Sequence, residues 1–159
     1  SIILKKNFPM LNVLAFEPDQ QNRYQLYGNI FLNKFENEIK VHDFGLSNKK
    51  KKVPFGIRKE GNRGGKTIKK DGELKITVKP LDDVFLEKGK NCFIKIDVEG
   101  HEKEVIMGSE NFLKNNFCLI QVEILDQSKF NDFNLLMNKL GYKLVKQIED
   151  YYYSNFVVS

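Results

Sequence analysis

The chain has 159 residues, 41% apolar and 30% charged, with a net charge of +5. That length suits one domain, residues 1–159, and the composition is that of a soluble globular protein rather than a disordered or fibrous one. No run of about 18 apolar residues is present to span a bilayer, and Ser1–Lys6 is apolar then basic, the reverse of a secretion signal.

Ile2–Lys6 reads as the end of a helix. Leu11–Phe16 is a short apolar run of the kind found in buried strands, and it stops at Glu17-Pro18-Asp19. Pro18 cannot donate to a ladder, and Asp19 is suited to capping a helix over Gln20–Asn33, whose Tyr24, Tyr27 and Phe31 share one apolar face. A strand at Ile39–Val41 ends near Asp43. From Asn48 to Val78 glycines break the pattern, and Val53–Ile57 with Leu74–Val78 predicts a β-ribbon around a Gly/Lys tip. Asp82 is placed to cap a short helix to Lys88, closed by Gly89.

The second half alternates regularly. Cys92–Val98 predicts a strand, Glu102–Asn115 a helix and Phe117–Leu125 a strand. The helix carries Val105, Ser109, Phe112 and Leu113 inward, flanked by Ile106. Ser128 is expected to cap a helix carrying Phe133, Leu136, Met137 and Leu140, ended by Gly141. Tyr142–Gln147 and Tyr153–Val158 then read as an antiparallel hairpin. Cys92 and Cys118 read as small core thiols of a reducing compartment, so the expected location is cytoplasmic. The alternation predicts an α/β layered fold with a mainly parallel sheet, and such sheets bind ligands at the carboxyl ends of their strands.

Three strands carry acids there: Glu17 after the first, Asp97 and Glu99 in Lys95-Ile96-Asp97-Val98-Glu99-Gly100, and Glu123 in Val122-Glu123-Ile124. A carboxylate on an apolar strand is costly unless something binds it. Asp97 and Glu99 are therefore expected to serve a ligand or catalytic site, and Lys95 to pair with a neighbouring acid. Glu17 has the type and place of a residue that accepts hydrogen bonds from ribose hydroxyls.

Taken together, Leu14-Ala15-Phe16-Glu17-Pro18-Asp19, Gly45-Leu46-Ser47-Asn48, Ile94-Lys95-Ile96-Asp97-Val98-Glu99-Gly100-His101-Glu102 and Val122-Glu123-Ile124 resemble the FkbM-type methyltransferases, class I enzymes that use S-adenosylmethionine. The resemblance runs from Ser1 to about Leu140, and the Ile-Lys-Ile-Asp-Val-Glu-Gly block is its specific part. It implies a Rossmann-like, seven-stranded sheet with the last strand antiparallel. It implies Glu17 on the cofactor ribose, Asp43 and Phe44 near the adenine, and Asp97 facing the sulfonium methyl and the acceptor. It also implies O-methylation of a hydroxyl on a sugar, lipid or secondary metabolite.

The sequence departs from the family in two places. The family's first strand and glycine-rich turn would precede Ser1, so the fold is expected to be truncated at its N-terminus. Lost burial of four side chains, at about 1.5–3 kcal/mol each, is comparable with a whole domain's stability, and the chain alone is expected to be marginal and to bind cofactor poorly. His101 stands where a small residue is common.

Methyl transfer from a sulfonium is an in-line displacement that needs alignment and removal of the acceptor's proton. Asp97, Glu99 and His101 are the nearest candidate bases, His101 on pKa grounds. Asp97, Glu99 and Glu123 are also hard oxygen ligands that would suit Mg²⁺ or Ca²⁺, but the expected site is metal-free; zinc is disfavoured because Val105 occupies the second position of a His-Glu-x-x-His pattern. The alternative is a non-catalytic domain whose basic ribbon, residues 49–70, grips nucleic acid or an acidic glycan. A small-molecule or glycan acceptor is the expected partner and nucleic acid is not.

Overall fold

A computed structural model describes residues 1–57, 66–68 and 72–156. In chain order its elements are α1 (Ile2–Asn7), β1 (Val13–Phe16), α2 (Gln20–Leu32), β2 (Ile39–His42), β3 (Gly45–Leu46), β4 (Lys51–Ile57), β5 (Lys66–Ile68), β6 (Leu74–Lys79), β7 (Asn91–Ile96), α3 (Glu102–Met107), α4 (Glu110–Asn115), β8 (Phe117–Val122), α5 (Phe130–Lys139), β9 (Lys143–Gln147) and β10 (Tyr151–Ser154). The outer parts of the expected ribbon tip and of the last strand, at 58–65, 69–71 and 157–159, lie outside the described residues.

The described strands form three sheets rather than one: β1-β2, β7-β8-β10-β9 and β3-β6-β4-β5. Pairs β1/β2, β3/β6 and β7/β8 are parallel, while β10 runs antiparallel to both β8 and β9. The predicted ribbon is present, with Val53 opposite Ile76 and Phe55 opposite Leu74 in an antiparallel register. The architecture is thus α/β with mixed sheets. The ribbon pairs antiparallel within itself and β10 runs antiparallel as expected, while the described strands divide into three sheets rather than one.

The main core lies on one face of the β7-β8-β10-β9 sheet. Alternation sends Cys92, Ile94 and Ile96 of β7 to the same side as Cys118, Ile120 and Val122 of β8. Val105, Ile106 and Leu113 from α3–α4 and Phe133 and Met137 from α5 complete it. Phe133 and Met137 are four residues apart and so project from one face of α5. A second cluster, Val53, Phe55, Ile76 and Val78, lies within the ribbon.

Several local expectations are corrected. The predicted helix over 102–115 is broken at Gly108-Ser109 into α3 and α4, because Gly108 approaches the Ser47 carbonyl too closely for a side chain. Asp82 does not open a helix to Lys88, which is only a 3₁₀ turn at Leu81–Asp83. Its carboxylate instead accepts from the amides of Asn111 (2.9 Å) and Phe112 (2.8 Å), capping α4 from outside. Ser128 does not cap α5, whose N-cap is Lys129 without a side-chain cap; Asp126 caps the 3₁₀ turn at Gln127–Lys129 that leads into it, accepting from the Ser128 amide at 3.1 Å. Asp19 does cap α2, through the Asn22 amide at 2.9 Å. The Tyr24, Tyr27 and Phe31 face of α2 is nonetheless exposed, and its buried residue is Ile30.

Candidate functional site

The parallel pair β7/β8 brings the acids together. Its register sets Lys95 opposite Gln121 and Ile96 opposite Val122, so Asp97 and Glu123 follow one another across the two strand ends. The Glu123 amide also donates to the Ile96 carbonyl at 3.1 Å, which extends the ladder to the acids. Hydrogen bonding with Asp97 holds the Glu123 carboxyl above the usual carboxylate range, with burial and the charge on Asp97 acting the same way.

Lys95 lies beside them, its Nζ 3.0 Å from Asp97 Oδ2, as the sequence predicts. Burial pushes the Lys95 pKa down. The Asp97 bond and the charges of Asp97, Asp150 and Glu123 outweigh it, and the net shift is upward. Lys95 therefore stays a cation, and Asp150 is held next to the group by Gln121 at 2.6 Å. Lys95 and Asp97 are each about half exposed, so this cluster is open to a ligand.

Glu99 and His101 belong to the turn that follows. Glu99 adopts φ 54° and Gly100 φ 101°, so the chain reverses sharply through two left-handed residues, the first of which is not glycine. Glu102 Oε1 accepts from the Gly100 amide at 2.6 Å, and Thr67 Oγ1 donates to the Glu99 carbonyl at 2.9 Å, fixing the turn from both sides. A cavity of about 240 Å³ opens beside it, lined by Thr67, Glu99, His101, Leu125, Asp126 and Lys129 among others.

His101 is not a free surface residue. Its Nε2 lies 3.0 Å from Ser47 Oγ and its Nδ1 lies 3.5 Å from Glu104 Oε2. Burial holds its pKa below the ordinary histidine value, with the Glu104 charge pulling the other way. The imidazole thus ties the end of β3 to the first turn of α3. Ser47 is fully buried and Gly108 packs on its carbonyl. Sequence reasoning missed this tie because Ser47 and His101 stand 54 positions apart.

Glu17 ends β1. Its Oε1 accepts from the Asp19 amide at 2.9 Å, and burial raises its pKa in spite of that bond. Arg23 donates to the carbonyls of Glu17 (2.9 Å) and Pro18 (3.2 Å), which holds the strand end against α2. On the neighbouring strand, His42 stacks on Phe16 with ring centroids 4.9 Å apart, and Phe44 and Phe85 close the cluster edge-on. Phe44 is buried, with Lys79 Nζ 4.2 Å above its ring, while Asp43 is exposed. His42 Nε2 is buried and has no hydrogen-bond partner among the described residues. Among those residues no three His, Cys, Asp or Glu side chains converge to hold a metal ion, so Asp97, Glu99 and Glu123 are not gathered as a ligand set. No helix there is long and apolar enough to cross a membrane.

Comparison with known proteins gives the same family as the sequence motifs. A relative, Hexuronic acid methyltransferase AglP of Haloferax volcanii, is 29% identical over 116 residues, covering 70% of this chain and 47% of the relative. A crystal structure of Methyltransferase FkbM from Methylobacillus flagellatus KT superposes with a TM-score of 0.65 at 19% identity, covering 96% of this chain and 39% of that one. The chain thus spans less than half the length of either protein, and the second likeness speaks for the fold. The Methyltransferase FkbM domain model matches residues 3–144, which is most of the chain, and the chain belongs to that family.

Proposed function

We propose that the protein transfers a methyl group from S-adenosylmethionine to a hydroxyl of a small-molecule or glycan acceptor, with Asp97 and Glu123 handling the acceptor's proton. The observation that carries this reading is the pair of carboxyl groups that the register sets at the adjoining ends of β7 and β8, beside the Lys95 cation. A carboxylate of such a pair is held in place and has a partner that shares the incoming proton, which suits a general base.

The residues of this chain fit the donor at its nucleoside end. The Glu17 carboxylate is held at a strand end by the Asp19 amide and suits a ribose diol. The unpartnered His42 Nε2 lies within the aromatic cluster beside Phe44 and Asp43, where the resemblance expects adenine. When bound, S-adenosylmethionine supplies an electrophilic methyl group on a sulfonium sulfur. Glu17 would hold the ribose, and Asp97, with the Lys95 cation 3.0 Å away, would take the acceptor's hydroxyl proton. Glu99 and Thr67 line the adjoining cavity and would meet the acceptor. His101 has both ring nitrogens engaged and is assigned to holding the turn.

The polar lining of that cavity suits a hydroxyl-rich acceptor, and the relative that acts on a hexuronic acid favours the sugar class. A cytoplasmic location accords with two free cysteines. The test is calorimetric titration of S-adenosylmethionine into the protein and its Glu17→Ala variant. A charge-assisted hydrogen bond contributes about 1.5–3 kcal/mol, so Glu17→Ala weakens binding about 10- to 150-fold. Equal affinity for both proteins removes the ribose assignment.

A further inference from the structure

Cys92 and Cys118 are register partners on the parallel strands β7 and β8. Both project from the face that carries the main core, Cys118 fully buried and Cys92 half-buried beside it. Neighbouring strands lie about 4.8 Å apart, inside the Cα separation of about 4.4–6.8 Å that a disulfide spans. Register places the two side chains next to one another on the same face. Neither thiol has a part in the methyl-transfer reading.

We propose that Cys92 and Cys118 form a peroxide-sensitive thiol pair that closes to an intrachain disulfide across β7 and β8. The reaction balances with hydrogen peroxide as oxidant. The deprotonated sulfur of the pair attacks the peroxide oxygen, the O–O bond breaks, and with one proton taken up the products are a sulfenic acid and water. The second thiol then attacks the sulfenic sulfur, and its proton leaves with the hydroxyl as a second water. Two thiols are oxidised and one peroxide is reduced to two waters.

Three features favour this outcome over inert core thiols. The partners are preplaced by backbone register, so no strand has to slide. Cys92 is only half-buried, so a small oxidant has a route in. The third is protonation. Hydrogen bonding from Cys92 holds Cys118 down, to about 7, against burial and with help from Tyr142, while the same bond and burial push Cys92 up. One sulfur of the pair therefore has thiolate character near neutral pH, which is the reactive form.

The test is hydrogen peroxide treatment of the native protein, followed by denaturation, maleimide labelling and intact-mass analysis. The untreated chain takes two labels. After treatment it takes none, a single Cys92–Cys118 cross-linked peptide is found, and dithiothreitol restores both labels. Cys92→Ser and Cys118→Ser each form no intrachain bond; the remaining thiol gives a dimedone-trappable sulfenic acid instead. Two labels retained by the treated wild-type chain, or oxidation only to sulfinic acid or to intermolecular dimers, overturns the proposal. Because the deciding result is read on the wild-type protein, poor folding of either variant does not obscure it.

Discussion

Gly108 offers a prediction whose sign depends on geometry alone. It is the C-terminal cap of α3, with φ −86° and ψ 5°, a backbone conformation open to any residue. A change to alanine at such a site ordinarily stabilises by about 0.4–1 kcal/mol, because the unfolded chain loses freedom. Here a Cβ would stand 2.0 Å from the Ser47 carbonyl oxygen, 2.8 Å from its carbon and 3.1 Å from Asn48 Cα. All three are backbone atoms, so no rotamer change relieves the clash. The end of β3 must retreat by about 1.4 Å to reach the 3.4 Å of ordinary contact. Ser47 is fully buried and its hydroxyl holds His101 at 3.0 Å, so that retreat also loosens the tie to the Glu99–His101 turn. Overpacking of this kind costs about 1–3 kcal/mol, which exceeds the entropic gain. Gly108→Ala is therefore expected to destabilise by about 1–2 kcal/mol, a fall of about 2–8 °C in Tm for a chain of this size. Gly28 provides the control: it lies inside α2 with nothing within 4 Å of its Cβ position, so Gly28→Ala gains helix propensity and stabilises by up to about 1 kcal/mol. Thermal and urea melts of the two variants decide the matter. A Gly108→Ala protein as stable as Gly28→Ala would refute the close approach of α3 to β3.

Asp82→Ala removes the cap that two α4 amides share and is expected to cost about 1 kcal/mol in a urea melt, with Asp82→Asn retaining part of it. Asn116 is buried and makes three bonds, from Nδ2 to the Glu87 and Phe112 carbonyls and from the Lys90 amide to Oδ1; Asn116→Leu leaves them unpaired and costs about 2–3 kcal/mol by the same measurement. The chain has two histidines, His42 and His101, and burial lowers the pKa of both. A depressed folded pKa gives stability that is full above the unfolded value near 6.5 and is lost as pH falls through the folded value. Proton NMR should thus show two imidazole resonances that both titrate below 6.5, and a resonance titrating above it contradicts the buried placement of that ring. Glu123 has the opposite sign: its raised folded pKa means that stability is lost as pH rises through it, so Glu123→Gln is expected to melt higher than wild type at neutral pH.

The legible parts of the fold were those set by local pattern. The period-two alternation of Ile94, Ile96 and Val98 and the turn residues Pro18-Asp19 placed β7, β1 and the start of α2 close to their observed bounds. The long helix over 102–115 looked continuous because Gly108 alone is a mild helix breaker, and what divides it is a carbonyl brought in from residue 47. Asp82 was recognised as a cap but assigned to the wrong helix, since its partners lie 29 and 30 positions ahead. Spacing gives Tyr24, Tyr27 and Phe31 of α2 one apolar face, but it does not say what packs on that face, and all three are exposed. In the site, Asp97, Glu123 and the pairing of Lys95 follow from an acid or base at the end of an apolar strand. The engagement of His101 by Ser47 does not, because a single histidine after a turn carries no sign of a distant partner.

The most direct test of the account is transfer of a labelled methyl group from S-adenosylmethionine to a panel of sugar and uronic acid acceptors, by the wild-type protein and by Asp97→Asn. The account predicts a methyl ether on an acceptor hydroxyl. It also predicts a rate about 10²- to 10⁴-fold lower in the variant, with cofactor affinity retained. Transfer by Asp97→Asn at the wild-type rate, or a wild-type protein that binds the cofactor and methylates nitrogen rather than oxygen, would contradict it.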